Sequence, residues 1–191
     1  MKLSQEDSLF YQSLALCRLL LELNNLDFLH SDYYKTNCFQ NEDKLSNYIL
    51  QNSGLGNPAT LQAMFYLFLV CPREYYSRLE KSTQISLEIA FNKKAAELVE
   101  KNTVFKPYND KDSQNCETIN FLKHIRNAIS HARCEYNSLN GKNYVTFHDQ
   151  SSTQKCSFQF STENTGLLIR FLDAELCKRL NEKYLHGKQN N

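Results

Sequence analysis

Six consecutive residues, Arg126-Asn127-Ala128-Ile129-Ser130-His131, gather a guanidinium, an amide and an imidazole within one short stretch of chain. A guanidinium keeps its charge at every working pH and matches phosphate oxygens in shape, whereas an imidazole is the side chain that ordinarily gains and loses a proton near neutrality. An amide carries both a donor and an acceptor. Together these groups suit a phosphodiester. Arg126 would bind the phosphate and offset the charge that grows on its oxygens, and His131 would take the proton of a ribose 2′-OH or supply one to a departing 5′-oxygen. Asn127 would orient the imidazole or the phosphate. Attack by the 2′-OH would leave a cyclic phosphate and would distinguish RNA from DNA.

A helix carries these residues if the apolar positions between them fall on one side. At about 100° per residue, Leu122, Ile125, Ile129, Phe121 and Ala132 fall within an arc of roughly 100°. The opposite side, over roughly 180°, holds Arg126, Arg133, Ser130, Lys123, Asn127, His131 and His124, none of them acidic. Lys123, His124, Ser130 and Arg133 are therefore candidate contacts to an RNA backbone. A merely solvated basic face, with His124 as an exposed helix histidine, would give the same pattern. Arg126 and His131 lie about 140° apart on a straight helix, so one copy grips a single phosphate awkwardly. Two antiparallel copies about a two-fold axis could pool their groups.

The elements that must hold this helix are mostly helical. Phe10, Leu14, Cys17 and Leu21 are spaced by four, three and four, which predicts a helix over about 4–29. Leu9, Leu16, Leu20 and Leu23 widen its stripe, as for a helix packed on more than one neighbour. Residues 31–57 are polar and mixed, with Leu45, Tyr48, Ile49 and Leu50 hinting at a short helix. Gly54-Leu55-Gly56-Asn57-Pro58 is a breaker, an N-cap and an N1 proline, opening a helix over about 58–71. A third helical stretch over about 73–101 carries Leu79, Ile85, Leu87, Ile89, Phe91, Leu98 and Val99, with a slip of the pattern near Ser82-Thr83. Thr103 to Asn115 looks like a polar connection with turn chemistry. The motif helix follows over about 116–132.

After it the period changes to two. Cys134-Glu135-Tyr136, the turn signal Asn140-Gly141 and Tyr144-Val145-Thr146-Phe147 predict a hairpin, and Cys156 to Phe160 is a third candidate strand, over about 134–160 in all. Leu167, Leu168, Phe171, Leu172, Leu176 and Leu180 close the chain with an amphipathic helix over about 163–184. The expected fold is mainly α, four to five helices with a small β-hairpin or three strands between the motif helix and the last one.

Bulk composition narrows the classes. A chain of 191 residues suits one domain, 1–191. With 22 basic and 21 acidic side chains the net charge is +1, so any polyanion must be held by a local patch. Seven scattered cysteines, without a C-x-x-C pair, suggest a reduced compartment and no zinc or redox site. The acidic start Ser4-Gln5-Glu6-Asp7 is unlike a signal peptide, and the apolar run from Met64 to Cys71 is too short to span a bilayer. A cytoplasmic protein with no membrane segment is expected.

The motif's spelling adds a family. Arg126-Asn127-x-x-x-His131 resembles the Arg-x4-6-His signature of HEPN domains in its common form Arg-Asn-x-x-x-His, here set late in a helical chain between a long first helix and a final amphipathic one. The chain resembles bacterial and plasmid-borne HEPN proteins of toxin and defence systems. That resemblance implies a HEPN-like bundle and a metal-independent endoribonuclease without cofactor, acting as a symmetric dimer with Arg126, Asn127 and His131 catalytic. It also implies RNA as partner and an antitoxin or other regulatory protein. A catalytically silent HEPN fold, kept for RNA binding or dimerisation, is the alternative, and an unrelated helical adaptor is a third. In HEPN toxins silenced by a nucleotidyltransferase the motif commonly continues His-x-Tyr; this chain has Arg133 there, which puts that control in doubt, and Tyr136 does not inherit the role.

Other constellations carry less. Gly54-x-Gly56 lacks the third glycine and the preceding strand of a phosphate loop. His148-Asp149 lacks a nucleophile elbow and reads as a turn pair. His131 and Cys134 have no further ligands at a usual metal spacing. Tyr33-Tyr34 and Tyr75-Tyr76 could stack on bases, but aromatics of this kind are mostly spent in cores.

Overall fold

A computed structural model describes residues 5–38, 44–71, 76–77, 79–105, 119–150 and 155–182. The first helix, α1 (Gln5–Asn25), buries Phe10, Leu14 and Cys17, the positions its spacing selects. Leu20 and Leu21 are half-buried at the edge of the same cluster. Leu9 and Leu16 face outward at 58% and 49% exposure, so the stripe is narrower than the leucine count suggests.

A 3₁₀ turn (Phe28–His30) and two helices, α2 (Asp32–Asn37) and α3 (Lys44–Ser53), occupy the polar stretch that composition alone left open. Gly54, at φ +72°, ends α3 in the left-handed conformation that a Cβ disfavours, and its N–H reaches Leu50 C=O at 2.8 Å. This glycine is a helix stop. Asn57 caps α4 (Pro58–Phe65) by accepting from Thr60 N–H at 2.9 Å, and the helix continues as a π-turn over Tyr66–Val70. Phe65, Phe68 and Leu69 from this segment are buried. The next helix, α5 (Lys81–Leu98), starts at the predicted slip in the pattern and buries Leu87, Phe91 and Ala95. Ile85 and Ile89 are exposed; residues 72–75, where the broader prediction began, lie outside the described residues.

Lys101–Phe105 forms strand β1, which corrects the expectation of an irregular connection from Thr103. The rest of that expected connection lies outside the described residues. The motif helix, α6 (Phe121–Ser130), is followed by β2 (Cys134–Leu139), β3 (Lys142–Gln150), β4 (Lys155–Ser161) and the last helix, α7 (Thr162–Asn181). The four strands make one antiparallel sheet in the order β1-β4-β3-β2. Asn140 and Gly141 both take positive φ, 53° and 75°, the primed turn whose twist suits a two-residue hairpin. The result is a mainly α fold with a small antiparallel sheet of four strands, one edge strand more than the largest sheet expected.

Alternation decides which side of the sheet is buried. Val145, Phe147 and Asp149 on β3 and Cys156, Phe158 and Phe160 on β4 point inward, paired as Val145↔Phe160, Phe147↔Phe158 and Asp149↔Cys156. This face receives α6 and the end of α4: the rings of Phe121 and Phe158 lie 4.9 Å apart and those of Phe65, on α4, and Phe147 5.7 Å apart. Leu168, Ile169, Leu172 and Leu176 of α7 complete the cluster. Arg18 on α1 and Asp173 on α7 clasp at 3.2 Å. Among the described residues no helix is long and apolar enough to cross a membrane.

Candidate active site on the motif helix

Both ends of α6 are fixed. Asn120 caps its start by accepting from Lys123 N–H at 3.0 Å while donating to Glu88 at 2.7 Å, and Leu122 N–H donates to Asn92 at 2.9 Å. At the other end Arg133 N–H donates to Ala128 C=O at 2.8 Å and Ala132 N–H to Ile129 C=O at 3.1 Å. Ala132 sits at φ +52° between them. This is a Schellman stop with alanine where glycine is usual. It makes His131 the C-cap, with φ −106° and ψ 12°, so its side chain leaves the helix at an exposed edge. His148 N–H then donates to Arg133 C=O at 2.9 Å and starts the hairpin directly behind the motif.

The predicted site residues divide into three groups. Arg126 is half-buried and His131 exposed, and among the described residues no carboxylate lies within ion-pair distance of either. Their side chains do not hydrogen-bond to each other, as expected for groups about 140° apart around an axis. Lys123 and Ser130 are exposed, the Ser130 hydroxyl donating to Arg126 C=O at 2.8 Å. Arg133 is exposed but occupied, its Nη1 donating to Gln150 C=O and tying the motif's end to β3.

His124 is a correction. It is 1% exposed and faces the sheet, so the expectation of an exposed groove-lining histidine does not hold. None of the arc's own residues is acidic, yet Asp149 reaches it from β3. Its Oδ2 lies 2.7 Å from His124 Nδ1 and accepts from Asn127 Nδ2 at 3.1 Å. Asp149 is buried and lies in a strand, not a turn. The helix is covered on one flank by helical neighbours and on the next by the sheet, which extends its buried face past Ala128 to His124.

Asp149 is the residue of this candidate site that motif reading missed. The signal was present: Val145 and Phe147 alternate inward, and the same period of two puts Asp149 on the core side. A carboxylate at such a position needs partners. His124 and Asn127 supply them.

His124, Asp149 and Cys156, all buried, place their donor atoms within 4.8 Å of one another, the combination among the described residues that most resembles a metal site. A closed structural zinc site takes four ligands. In addition, the 2.7 Å contact engages His124 Nδ1 and the Asp149 carboxylate with each other. The cluster is accounted for as a hydrogen-bonded one. Burial pushes the thiol of Cys134, just beyond the motif, up to about 11, so it stays protonated at neutral pH.

The family model described as HEPN pEK499 p136 matches residues 1–186. The chain belongs to this HEPN family. No curated protein and no solved structure matches it. The arrangement of this HEPN protein offers a cation unpaired among the described residues and an exposed imidazole on either side of an amide whose inner end is anchored. Such groups can bind a phosphate and transfer a proton without a metal.

Proposed function

We propose that this HEPN protein is a metal-independent endoribonuclease in which Arg126 holds the scissile phosphate and His131 transfers protons during attack by the adjacent ribose 2′-OH. The observation that carries this reading is the half-buried Arg126 with no carboxylate partner among the described residues, on the same helix as the exposed His131. A guanidinium paired to an acid would have to surrender that partner to bind phosphate; Arg126 does not. The new bond joins the 2′-oxygen to phosphorus and the bond to the 5′-oxygen breaks. One proton leaves the 2′-OH and one reaches the 5′-oxygen, leaving a 2′,3′-cyclic phosphate and a 5′-hydroxyl. Lys123 is available for a backbone contact at the far end of the helix.

The active unit in this reading is a homodimer formed through α6, because one helix separates Arg126 from His131 and a two-fold axis can bring one copy's arginine to the other's histidine. The resemblance to toxin and defence proteins supports a role as a growth-arresting or antiphage effector in the cytoplasm, restrained by an antitoxin or regulatory protein.

The test is incubation of purified protein with single-stranded RNA in EDTA, beside Arg126→Ala and His131→Ala. Wild type should yield cyclic-phosphate ends, and each variant should lose at least about 100-fold in rate. Intact RNA after prolonged incubation with the wild type would reduce the protein to an RNA-binding or dimerisation module. A product carrying a 3′-hydroxyl would reject 2′-OH attack.

A further inference from the structure

Asn127 has a side chain with two different ends, and the fold determines which one points out. Its Nδ2 donates to Asp149 Oδ2 at 3.1 Å, and His124 Nδ1 meets the same oxygen at 2.7 Å. Two nitrogen donors converging on one carboxylate oxygen make that oxygen the acceptor. The Asn127 amide must therefore present its NH2 group inward, because its carbonyl oxygen would be repelled there. Asp149 cannot readily turn away, since it is 7% exposed, sits on a paired strand opposite Cys156, and abuts a histidine that is 1% exposed. Asn127 itself is half-buried, so the inner half of its amide is engaged and the outer half faces the polar side of α6.

We infer that Asp149, braced by His124, is a positioning residue that turns the Asn127 carbonyl oxygen outward, and that this oxygen accepts a hydrogen bond from a ribose 2′-hydroxyl of the bound strand. The second half rests on RNA being the substrate, as proposed above. An outward acceptor makes Asn127 unsuited to hold the phosphate, whose oxygens are acceptors themselves. The donor that a nucleic-acid backbone offers next to its phosphates is the ribose 2′-hydroxyl, present in RNA and absent from DNA. Arg126 one residue earlier would bind either polymer; Asn127 would tell them apart. A residue chosen as a phosphate donor at this position would have no need of a buried carboxylate behind it.

The test uses full-length His131→Ala protein, which the proposed mechanism leaves unable to cleave, and compares its affinity for one RNA oligonucleotide and the DNA of the same sequence. RNA should bind about 5- to 20-fold more tightly, the range expected when a hydrogen bond to a substrate hydroxyl is lost. Adding Asn127→Ala should bring the ratio close to one. Adding Asp149→Leu, which removes the acceptor, should lower it nearly as far, and Asn127→Ala with Asp149→Leu together should lower it no further, because the carboxylate acts through the amide.

Should Asp149→Leu fail to fold, the ¹⁵N spectrum of the wild type gives the same information. The Asn127 side-chain NH2 protons should exchange slowly with water and show contacts to the β-protons of Asp149. An unchanged RNA preference in Asn127→Ala, additive losses in the double variant, or fast-exchanging Asn127 NH2 protons would each overturn the inference. Cleavage by the wild type combined with any of these leaves the ribonuclease reading standing. RNA preference lost on Asn127→Ala in a protein that never cleaves RNA would uphold the inference and end the ribonuclease reading.

Discussion

Asn127 on the motif helix and Asp149 on β3, 22 residues apart in sequence, are joined by a 3.1 Å hydrogen bond that fastens the polar side of one element to the core side of another. His124 completes the group at 2.7 Å from the same oxygen. Removing the carboxylate alone leaves a buried imidazole and an amide without their shared acceptor. Asp149→Ala should therefore cost about 3 kcal/mol, the scale for breaking a buried polar pair. Replacing both partners by apolar residues, as in His124→Leu with Asp149→Leu, should recover at least half of that loss in urea unfolding while leaving Asn127 unanchored. A double variant less stable than Asp149→Ala would show that the pair stabilises the fold in its own right.

The same relationship shows what could be seen in the sequence and what could not. The buried positions Phe10, Leu14 and Cys17, the Asn57-Pro58 helix start and the Asn140-Gly141 turn each follow from local chemistry, and each stands where its spacing placed it. Strand β1 is five residues long, lies at the sheet's edge and pairs with residues 50 or more positions away, so no local period announced it. His124 illustrates a different limit. On the wheel it falls just beyond the apolar arc, next to Ala128, and a wheel cannot tell how wide a face its neighbours will cover. Only the sheet packed against that edge turns an apparently exposed histidine into a buried one.

Ala132 holds φ +52° at the helix stop behind His131, a conformation that costs an L-residue with a Cβ roughly 1 kcal/mol. Ala132→Gly should relieve it and stabilise the protein by up to about 1 kcal/mol, a rise of roughly 2–4 °C in Tm for a chain of this size. The gain is offset in part by the greater freedom of glycine in the unfolded chain. Calorimetry on the two proteins decides it. A fall in Tm would mean that the Ala132 side chain contributes more through packing than its backbone costs.

Three thiols give the fold an alkaline limit. Burial, with Asp173 adding to it, pushes Cys17 up to about 12 and Cys177 up to about 11, and burial alone pushes Cys134 up to about 11. A thiol with a raised folded-state pKa keeps its proton when the unfolded chain, at about 9, has lost it. The folded state then binds more protons, so the stability these groups contribute is complete below about pH 9 and is lost as the pH climbs through about 11. Tm should fall steadily across that window. Cys134→Ser, which removes one titrating group, should flatten the slope, and iodoacetamide at neutral pH should label all three thiols slowly. Rapid labelling of Cys134 in the folded protein would contradict its protonated, sheltered state.

The proposed pairing of Arg126 from one copy with His131 from another makes a quantitative prediction. Arg126→Ala and His131→Ala should each be inactive alone, since every site in those dimers lacks one group. Mixed by co-expression or by reversible unfolding, half of the dimers should contain one of each, and in these one of the two sites regains both an arginine and a histidine. Activity should return to about one quarter of the wild-type value per chain. If each site instead drew both groups from the same chain, no mixture could restore it, because one copy would always lack the arginine and the other the histidine. Activity that stays at the level of the separate variants, with heterodimers demonstrated by native mass spectrometry, would therefore place the site within a single subunit. The 140° gap between the two side chains would then have to close by motion at the helix end, where the left-handed Ala132 already turns the chain.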